Sequence, residues 1–208
     1  HQPSSSAMTL NRVNSSSASI IDGTLTANGN IFIINQNGVL FGAGSRVDVN
    51  GLVATTANIS NANFMAGNLT FDQPGNPNAV IENRGTITAQ DAGLVGLVAP
   101  NVINSGVITA KLGRVHLASG DTATVDLYGD GLMQVAVSDA VSSQLVENTG
   151  SIRAEGGTIA LTAAAGSQMV NSLVHVSGEL RAPAVGVKNG KIIIAAEGSN
   201  AVSGNVAA

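Results

Sequence analysis

The sequence predicts an all-β protein built as a parallel β-helix, a solenoid in which each coil of roughly 20 residues contributes three short strands. Three observations lead to this prediction. Two nearly identical segments, Asn83–Ala89 and Asn104–Ala110, lie 21 residues apart. A Gly-x-aliphatic-x-Ala pattern recurs along the chain, and apolar residues alternate with polar ones around it. One such coil cannot bury its own apolar face, so neighbouring coils must stack.

One strand of each coil carries the glycine pattern, which begins at Gly23, Gly85, Gly106, Gly150, Gly178 and Gly204. Because side chains on a strand alternate between its two faces, one face should stack aliphatic residues above a column of alanines. These inward residues are Leu25, Ile87, Ile108, Ile152, Leu180 and Val206. The opposite face suits water, since it holds Thr26, Thr88, Thr109, Arg153 and Arg181.

Two further strands complete each coil. A downstream strand carries an inward pair of aliphatic residues, namely Ile31/Ile33, Val95/Leu97, Val115/Leu117, Ile159/Leu161 and Ile192/Ile194. A shorter upstream strand is predicted at Ile81–Asn83, Val102–Asn104, Val146–Asn148 and Val174–Val176. Asn83, Asn104 and Asn148 align just before corner glycines, so we expect them to stack as a structural asparagine ladder.

The chain is predicted to be a single β-helix domain over residues 1–208, with no second domain. Residues 1–19 are serine-rich and should form an extended lead-in rather than a full coil. Residues 57–79 and 120–145 interrupt the periodicity and are predicted to leave the solenoid as β-hairpin excursions. Regular coils resume over residues 146–208.

Each excursion has its own local signals. The first contains Pro74 and Pro77, which cannot donate to a ladder, and we expect Phe64 and Phe71 to pack back on the coil. The second alternates polar and apolar residues around Tyr128–Gly131, which favours a hairpin with an Asp-Gly turn.

Composition narrows the function classes. Only 11% of residues are charged and 2% are aromatic, so small aliphatic residues and the 25 glycines must form the core. The net charge is −4 and the basic residues are scattered, which gives no nucleic-acid footprint. Cysteine is absent, so disulfides and thiol chemistry are excluded. The chain does not begin with methionine and shows no signal peptide, so we expect a mature or excerpted piece of a longer protein.

No metal site or cofactor is predicted. His116 and His175 each lie between two inward residues, so both rings should face solvent, and with His1 they share no ligand spacing. Three acids gather around Gly129 and Gly131, but neither the EF-hand pattern nor the Gly-Gly-x-Gly-x-Asp repeat is present. We interpret them as turn residues rather than calcium ligands: Asp121, Asp126 and Asp130.

The sequence gives little support for an enzyme. Outward Glu82 and Glu147 should align on their strands, and paired carboxylates are what a polysaccharide-cleaving β-helix would use. Ile103 occupies the position between them, and aromatic sugar platforms are lacking. No Gly-x-Ser-x-Gly elbow is present either. We therefore predict no enzymatic activity and keep a carbohydrate-active β-helix as the least favoured alternative.

Ordered blocks of the chain resemble the two-partner secretion domain of filamentous-haemagglutinin-type exoproteins, also called the haemagglutination activity domain. The blocks are Leu10–Val13, Ala27–Gly42, Val47–Ala54, Phe64–Gly67 and Gly113–Val137. The resemblance covers most of the chain. It implies a right-handed parallel β-helix with extra-helical β elements. It also implies export across the bacterial outer membrane by a TpsB-type β-barrel transporter with periplasmic binding domains.

The family's secretion motif, Asn-Pro-Asn-Gly-Ile, matches Asn35, Gln36, Asn37, Gly38 and Val39. This chain departs from the motif by having glutamine instead of proline and valine instead of isoleucine. By resemblance, these five residues are the candidate element that the transporter recognises. From residue type alone, they form a tight turn whose glycine takes positive φ. The second family element, Asn-Pro-Asn-Leu, is not seen.

These observations predict a non-enzymatic secretion and display module of a large exported exoprotein, an adhesin. It would pass through the periplasm, be recognised by its transporter, and nucleate β-helix folding at the cell surface. Host receptors or carbohydrates would be bound through other parts of the chain. The alternative is a structural or filament-forming subunit whose exposed terminal strands associate end to end.

Overall fold

The computed structural model describes residues 2–127, 133–166 and 171–208. The turn predicted at Tyr128–Gly131, with Asp130, lies outside the described residues, and so does His1. Almost every described element is a short β-strand, as the alternating pattern predicted. No helix in the described ranges is long and apolar enough to cross a membrane.

The first part of the chain forms eight strands and one short helix: β1 (Met8–Val13), β2 (Ser19–Ile21), β3 (Thr24–Thr26), β4 (Asn30–Asn35), β5 (Val39–Phe41), β6 (Arg46–Val49), β7 (Gly51–Thr55), α1 (Asn61–Met65) and β8 (Thr70–Phe71). The middle part forms β9 (Val80–Asn83), β10 (Thr86–Ala89), β11 (Leu94–Ala99), β12 (Asn101–Asn104), β13 (Val107–Ala110), β14 (Arg114–Ser119), β15 (Thr122–Thr124) and β16 (Gln134–Ala136). The last part forms β17 (Ser143–Asn148), β18 (Ser151–Arg153), β19 (Thr158–Ala163), β20 (Asn171–Val176), β21 (Glu179–Arg181), β22 (Lys191–Ala195), β23 (Ser199–Val202) and β24 (Asn205–Ala207).

Three parallel sheets of seven strands each form the solenoid. Sheet A has the order β1-β4-β7-β11-β14-β19-β22, sheet B has β2-β5-β9-β12-β17-β20-β23, and sheet C has β3-β6-β10-β13-β18-β21-β24. Each coil therefore visits sheets A, B and C in turn and then returns to sheet A one step further along. The predicted parallel β-helix is confirmed. The lead-in also contributes a six-residue strand, β1, which is the first member of sheet A.

The inward columns follow the predicted register. Ile87 lies directly opposite Ile108, and Ile108 lies opposite Ile152, so the repeat stacks in adjacent coils. The structure adds Val47 to this column between Leu25 and Ile87. The sequence pattern missed that coil because Ser45 stands where the other coils have glycine. All three sheets contribute to one apolar interior, which we call the inner core.

Glycine is required at one corner because successive coils approach closely there. A Cβ added to Gly106 would lie 2.1 Å from the carbonyl oxygen of Gly85, and one added to Gly150 would lie 2.1 Å from that of Gly106. Real Cβ atoms do not approach this closely, so a larger residue would push the coils apart. The recurring glycines therefore reflect the spacing of neighbouring coils.

Both excursions leave the solenoid at the same corner, between a strand of sheet A and the next strand of sheet B. The first follows β7 and the second follows β14, and they meet in a small antiparallel sheet of order β16-β15-β8. The sequence did not predict that they pair with each other. The first excursion also differs from a simple hairpin because it contains α1, capped by Ser60, whose side chain accepts a hydrogen bond from the Asn63 amide.

The excursions cover the outer face of sheet A with a second apolar layer, which we call the outer cluster. As predicted, Phe64 and Phe71 pack back on the coil. Both contact Phe32, with ring centroids 5.4 Å and 6.1 Å away respectively. Three of the four phenylalanines thus lie in the outer cluster, and Phe41 alone of them lies in the inner core.

Candidate functional site

The secretion-motif candidates form the corner between β4 and β5. The Gly38 amide donates to the Asn35 carbonyl oxygen at 3.0 Å, which closes a four-residue turn. Gly38 has a φ of +111°, and a Cβ there would lie 2.5 Å from the Val80 carbonyl oxygen. Both backbone conformation and space therefore require glycine at this position.

The two asparagines of this turn hold the lead-in. The buried carboxamide of Asn35 donates to the Ser17 carbonyl oxygen at 3.0 Å and to Ser19 Oγ at 2.9 Å. Its Oδ1 accepts a hydrogen bond from the Asn37 amide at 2.9 Å. Asn37 Nδ2 donates to the Ser15 carbonyl oxygen at 2.7 Å. Both side chains thus tie the turn to residues 15–19.

The other side of the turn contacts the first excursion. Gln36 Nε2 donates to the Pro74 carbonyl oxygen at 3.0 Å, and the Gln36 carbonyl oxygen accepts from the Asn76 amide at 2.8 Å. Val39 is buried in the inner core. Of the five candidate residues, only Gln36 is exposed to solvent. The glutamine that departs from the family motif thus makes a hydrogen bond that proline could not make.

Arg12 is a contact residue that the sequence did not single out by itself. From β1 it reaches the start of the first excursion, where Nε donates to Asn58 Oδ1 at 2.7 Å and Nη1 donates to Asn61 Oδ1 at 2.9 Å. Its Nη2 donates to the Ile59 carbonyl oxygen at 2.7 Å. No local pattern signals this contact, because its partners lie 46 to 49 residues away.

Asn83, Asn104 and Asn148 occupy one column of sheet B. Asn83 Nδ2 donates to Asn104 Oδ1 at 2.8 Å, and Asn104 Nδ2 donates to Asn148 Oδ1 at 2.7 Å. All three side chains are fully buried. Each carboxamide therefore donates a hydrogen bond to the next in a buried column, where a polar group without a hydrogen bond would destabilise the fold.

The prediction that His116 faces solvent is wrong. Its side chain points away from the inner core, as the alternation indicated, but the second excursion covers it and leaves the residue 3% exposed. Burial lowers the pKa of the His116 imidazole from 6.5 to about 4. The alternating pattern identifies the outward face and says nothing about what covers that face.

The other charged candidates are engaged in pairs. His175 Nδ1 lies 3.0 Å from Glu147 Oε1 on the outer face of sheet B, and Glu82 pairs with Arg84 at 2.6 Å. Ile103 separates Glu82 from Glu147 in the register, as predicted. Asp121 accepts hydrogen bonds from the amide and the hydroxyl of Ser138. Within the described ranges, no group of three His, Asp or Glu residues could hold a metal ion.

Comparison with known proteins gives a consistent answer. A family model described as a TPS secretion domain matches residues 1–207. The chain is 38% identical over 205 residues to a heme/hemopexin-binding protein of Haemophilus influenzae, covering 94% of this chain and 22% of that protein. A second heme/hemopexin-binding protein from Haemophilus influenzae is 35% identical over 216 residues, covering 94% of this chain and 23% of that protein.

The crystal structure of the HMW1 secretion domain from Haemophilus influenzae superposes with a TM-score of 0.84 at 32% identity, covering 99% of this chain and 53% of that one. The chain spans less than a quarter of the curated relatives it matches. The family implies secretion by the two-partner route and recognition by a TpsB-type transporter. The chain belongs to the TPS secretion domain family and is a secretion module rather than an enzyme.

Proposed function

We propose that this chain is the part of a large adhesin that an outer-membrane TpsB-type transporter recognises, and that it starts β-helix folding at the cell surface. Family membership supports the export route. Because the chain spans so little of its relatives, we assign receptor or carbohydrate binding to other parts of the whole protein. The same assignment applies to the heme and hemopexin named for the two relatives.

The observation that carries the recognition proposal is how the turn at residues 35–39 uses its polar groups. In the folded chain, Asn35 and Asn37 direct their carboxamides to the lead-in, and only Gln36 is exposed. A transporter that reads the asparagines would therefore have to meet them before the lead-in packs on the turn. We infer that recognition precedes folding and that the turn closes outside the cell.

The ladders of the solenoid support the proposed nucleating role. In all three sheets each coil pairs with the coil that follows it, so a formed coil offers the unpaired backbone groups of three strand edges to the next one. Such an edge can template a further parallel coil.

A secretion assay in cells that make the whole exoprotein and its transporter tests recognition. Asn35→Ala and Ser19→Ala each remove the hydrogen bond between these two side chains, but only the first changes the motif. We expect Asn35→Ala to leave product in the periplasm and Ser19→Ala to be secreted nearly normally. If secretion of both variants falls in proportion to the stability of the purified domain, the turn acts through folding alone. Undiminished secretion after deletion of Asn28–Gly42 would contradict a secretion role.

The alternative function is a structural subunit that associates end to end into filaments. The two functions differ in the size of the native polypeptide and in its association. A native mass far above 20.7 kDa supports the secretion module of a longer protein. A mass equal to this value, with filaments whose length grows with protein concentration, supports the subunit.

A further inference from the structure

His116 lies where the second excursion meets the outer face of sheet A. It projects outward from β14, between Gly96 on β11 and Ala160 on β19. Met133 packs over Gly96, since a Cβ there would lie 2.7 Å from Met133 Sδ. The imidazole is thus enclosed between the solenoid and a segment that is not part of the coils.

The hydrogen bonds of His116 define which nitrogen carries the proton. The Met133 amide donates to Nδ1 at 3.2 Å, so Nδ1 must be an unprotonated acceptor. The proton therefore resides on Nε2, which lies 2.8 Å from Thr162 Oγ1. The folded arrangement requires a neutral ring, and one of its two bonds joins the solenoid to the excursion.

We propose that His116 is an acid-sensitive latch that holds the second excursion on the solenoid and releases it when Nδ1 takes up a proton. A protonated Nδ1 would direct its N–H at the N–H of Met133, so the bond between them would be replaced by a repulsive contact. A buried imidazolium also loses its hydration. Both effects disappear when the excursion moves away and water reaches the ring.

The charged groups nearby do not favour a protonated ring in the closed state. On the same strand, Arg114 projects to the same face and its Nη2 donates to the Leu127 carbonyl oxygen. The neighbouring outward residues of β11 and β19 are uncharged, and they are Leu94, Gly96, Val98, Thr158, Ala160 and Thr162. The described acids of the second excursion are Asp121, Asp126 and Asp139, and the two hydrogen bonds of the imidazole described above join it to uncharged groups of Met133 and Thr162.

The direction of the effect follows from the two states of the ring. Burial lowers the pKa of His116 to about 4 in the closed state, whereas an open, hydrated ring has its ordinary value of 6.5. The stabilisation of the closed state is therefore complete above pH 6.5 and is lost as pH falls toward 4. Between pH 7.5 and 5.0, the equilibrium constant for opening should rise on the order of 30-fold.

Amide hydrogen exchange in the full chain tests the latch. After correction for the intrinsic pH dependence, exchange at Met133–Ala136 should accelerate on the order of 30-fold between pH 7.5 and 5.0. Amides of β10 and β13, which do not contact the imidazole, should not change. In H116N, Oδ1 can accept from the Met133 amide but cannot be protonated, so the acceleration should disappear. H175N, at the half-buried histidine on the outer face of sheet B, should behave like the unmodified chain.

Equal corrected exchange at both pH values, or an unchanged response in H116N, would overturn the proposal. If H116N does not fold, the titration of His116 in the unmodified chain, followed by NMR, decides instead. A midpoint well below 6.5, together with exchange at Met133–Ala136 that accelerates as pH falls below 6.5, supports the latch. A midpoint near 6.5 with Met133–Ala136 still protected at pH 5.0 contradicts it.

Discussion

The inner core and the outer cluster are two apolar regions built by different means. Apart from Phe41, the inner core consists of aliphatic residues that repeat in register from coil to coil, as at Ile87 and Ile108. The outer cluster contains most of the aromatic residues, and it joins the outer face of sheet A to two chain segments that follow no repeat. One region is therefore specified by periodicity, while the other depends on contacts between distant segments.

This difference implies different consequences of damage. A defect in the inner core interrupts stacking that continues through all seven members of each sheet. A defect in the outer cluster removes a cover from one sheet and leaves the parallel ladders intact. We therefore expect core substitutions to lower the stability of the whole solenoid, and outer substitutions to loosen the excursions first.

The largest effect should come from Gly106→Ala, which places a methyl group 2.1 Å from the Gly85 carbonyl oxygen. Because backbone must move in two coils, we expect a loss of at least about 3 kcal/mol in the free energy of unfolding. Gly23→Ala is the control, since a Cβ there meets nothing within 4 Å. Denaturant unfolding measures both, and equal stability of the two variants would contradict close approach as the reason for glycine.

The next largest effects are expected from one substitution in the inner core and one in the outer cluster. Ile108→Ala in the inner core should cost about 2–5 kcal/mol, and Phe32→Ala in the outer cluster about 3–5 kcal/mol. Hydrogen exchange should separate them. Phe32→Ala should increase exchange at β8 and β15 more than at β10, whereas Ile108→Ala should increase exchange at β10 and β13. The same exchange pattern in both variants would show that the two regions act as one unit.

Asn104→Leu should lower stability by about 2–4 kcal/mol, because it leaves buried polar groups of Asn83 and Asn148 without their ladder partner. The same substitution at Asn101, a half-buried outward residue of the same strand, serves as the control and should change stability by about 0.5 kcal/mol or less. Thermal unfolding gives both values. A stable Asn104→Leu variant would mean that the ladder is dispensable.

Much of the inner core could be predicted from the sequence because period and alternation are visible in the order of residues. The pattern did not identify the strand that contains Val47, because Ser45 replaces the glycine that begins the pattern in the other coils. The outer cluster was less accessible, because Phe71 pairs across to Ala123 with no repeat connecting them. The sequence-based prediction placed His116 in solvent because no repeat connects its strand to the excursion that covers it. The turn at residues 35–39 was recognisable by type, but its lead-in and excursion partners were not.

A smaller effect should follow from Arg12→Lys. Lysine cannot reproduce the fork that binds Asn58, Asn61 and the Ile59 carbonyl oxygen, so we expect a loss of about 1–2 kcal/mol. Arg46→Lys, at an exposed position of sheet C, is the matched control. Limited proteolysis of residues 57–79 should report the loosening. If both variants are cleaved at the same rate, Arg12 does not hold the first excursion against the lead-in.

The smallest effect is expected at a corner where a residue other than glycine has a positive φ. Ala92 has a φ of +65°, and Gly156 in a later coil has a nearly equal φ of +64°. Ala92→Gly should raise stability by about 0.5 kcal/mol, because glycine adopts positive φ without steric cost. Gly156→Ala should lower it by at least about 1 kcal/mol, since its Cβ would also lie 2.8 Å from Leu112 Cδ2. Changes of the same sign would contradict backbone strain as the cause.

Native-state hydrogen exchange of the unmodified chain under increasing denaturant tests most directly whether the two apolar regions are separable. Amides of β8, β15 and β16 should open at lower denaturant than those of β10, β13 and β18, while the ladders through Ile87 and Ile108 remain protected. Opening of all six strands in one transition, with the same free energy and the same denaturant dependence, would contradict a separable outer layer.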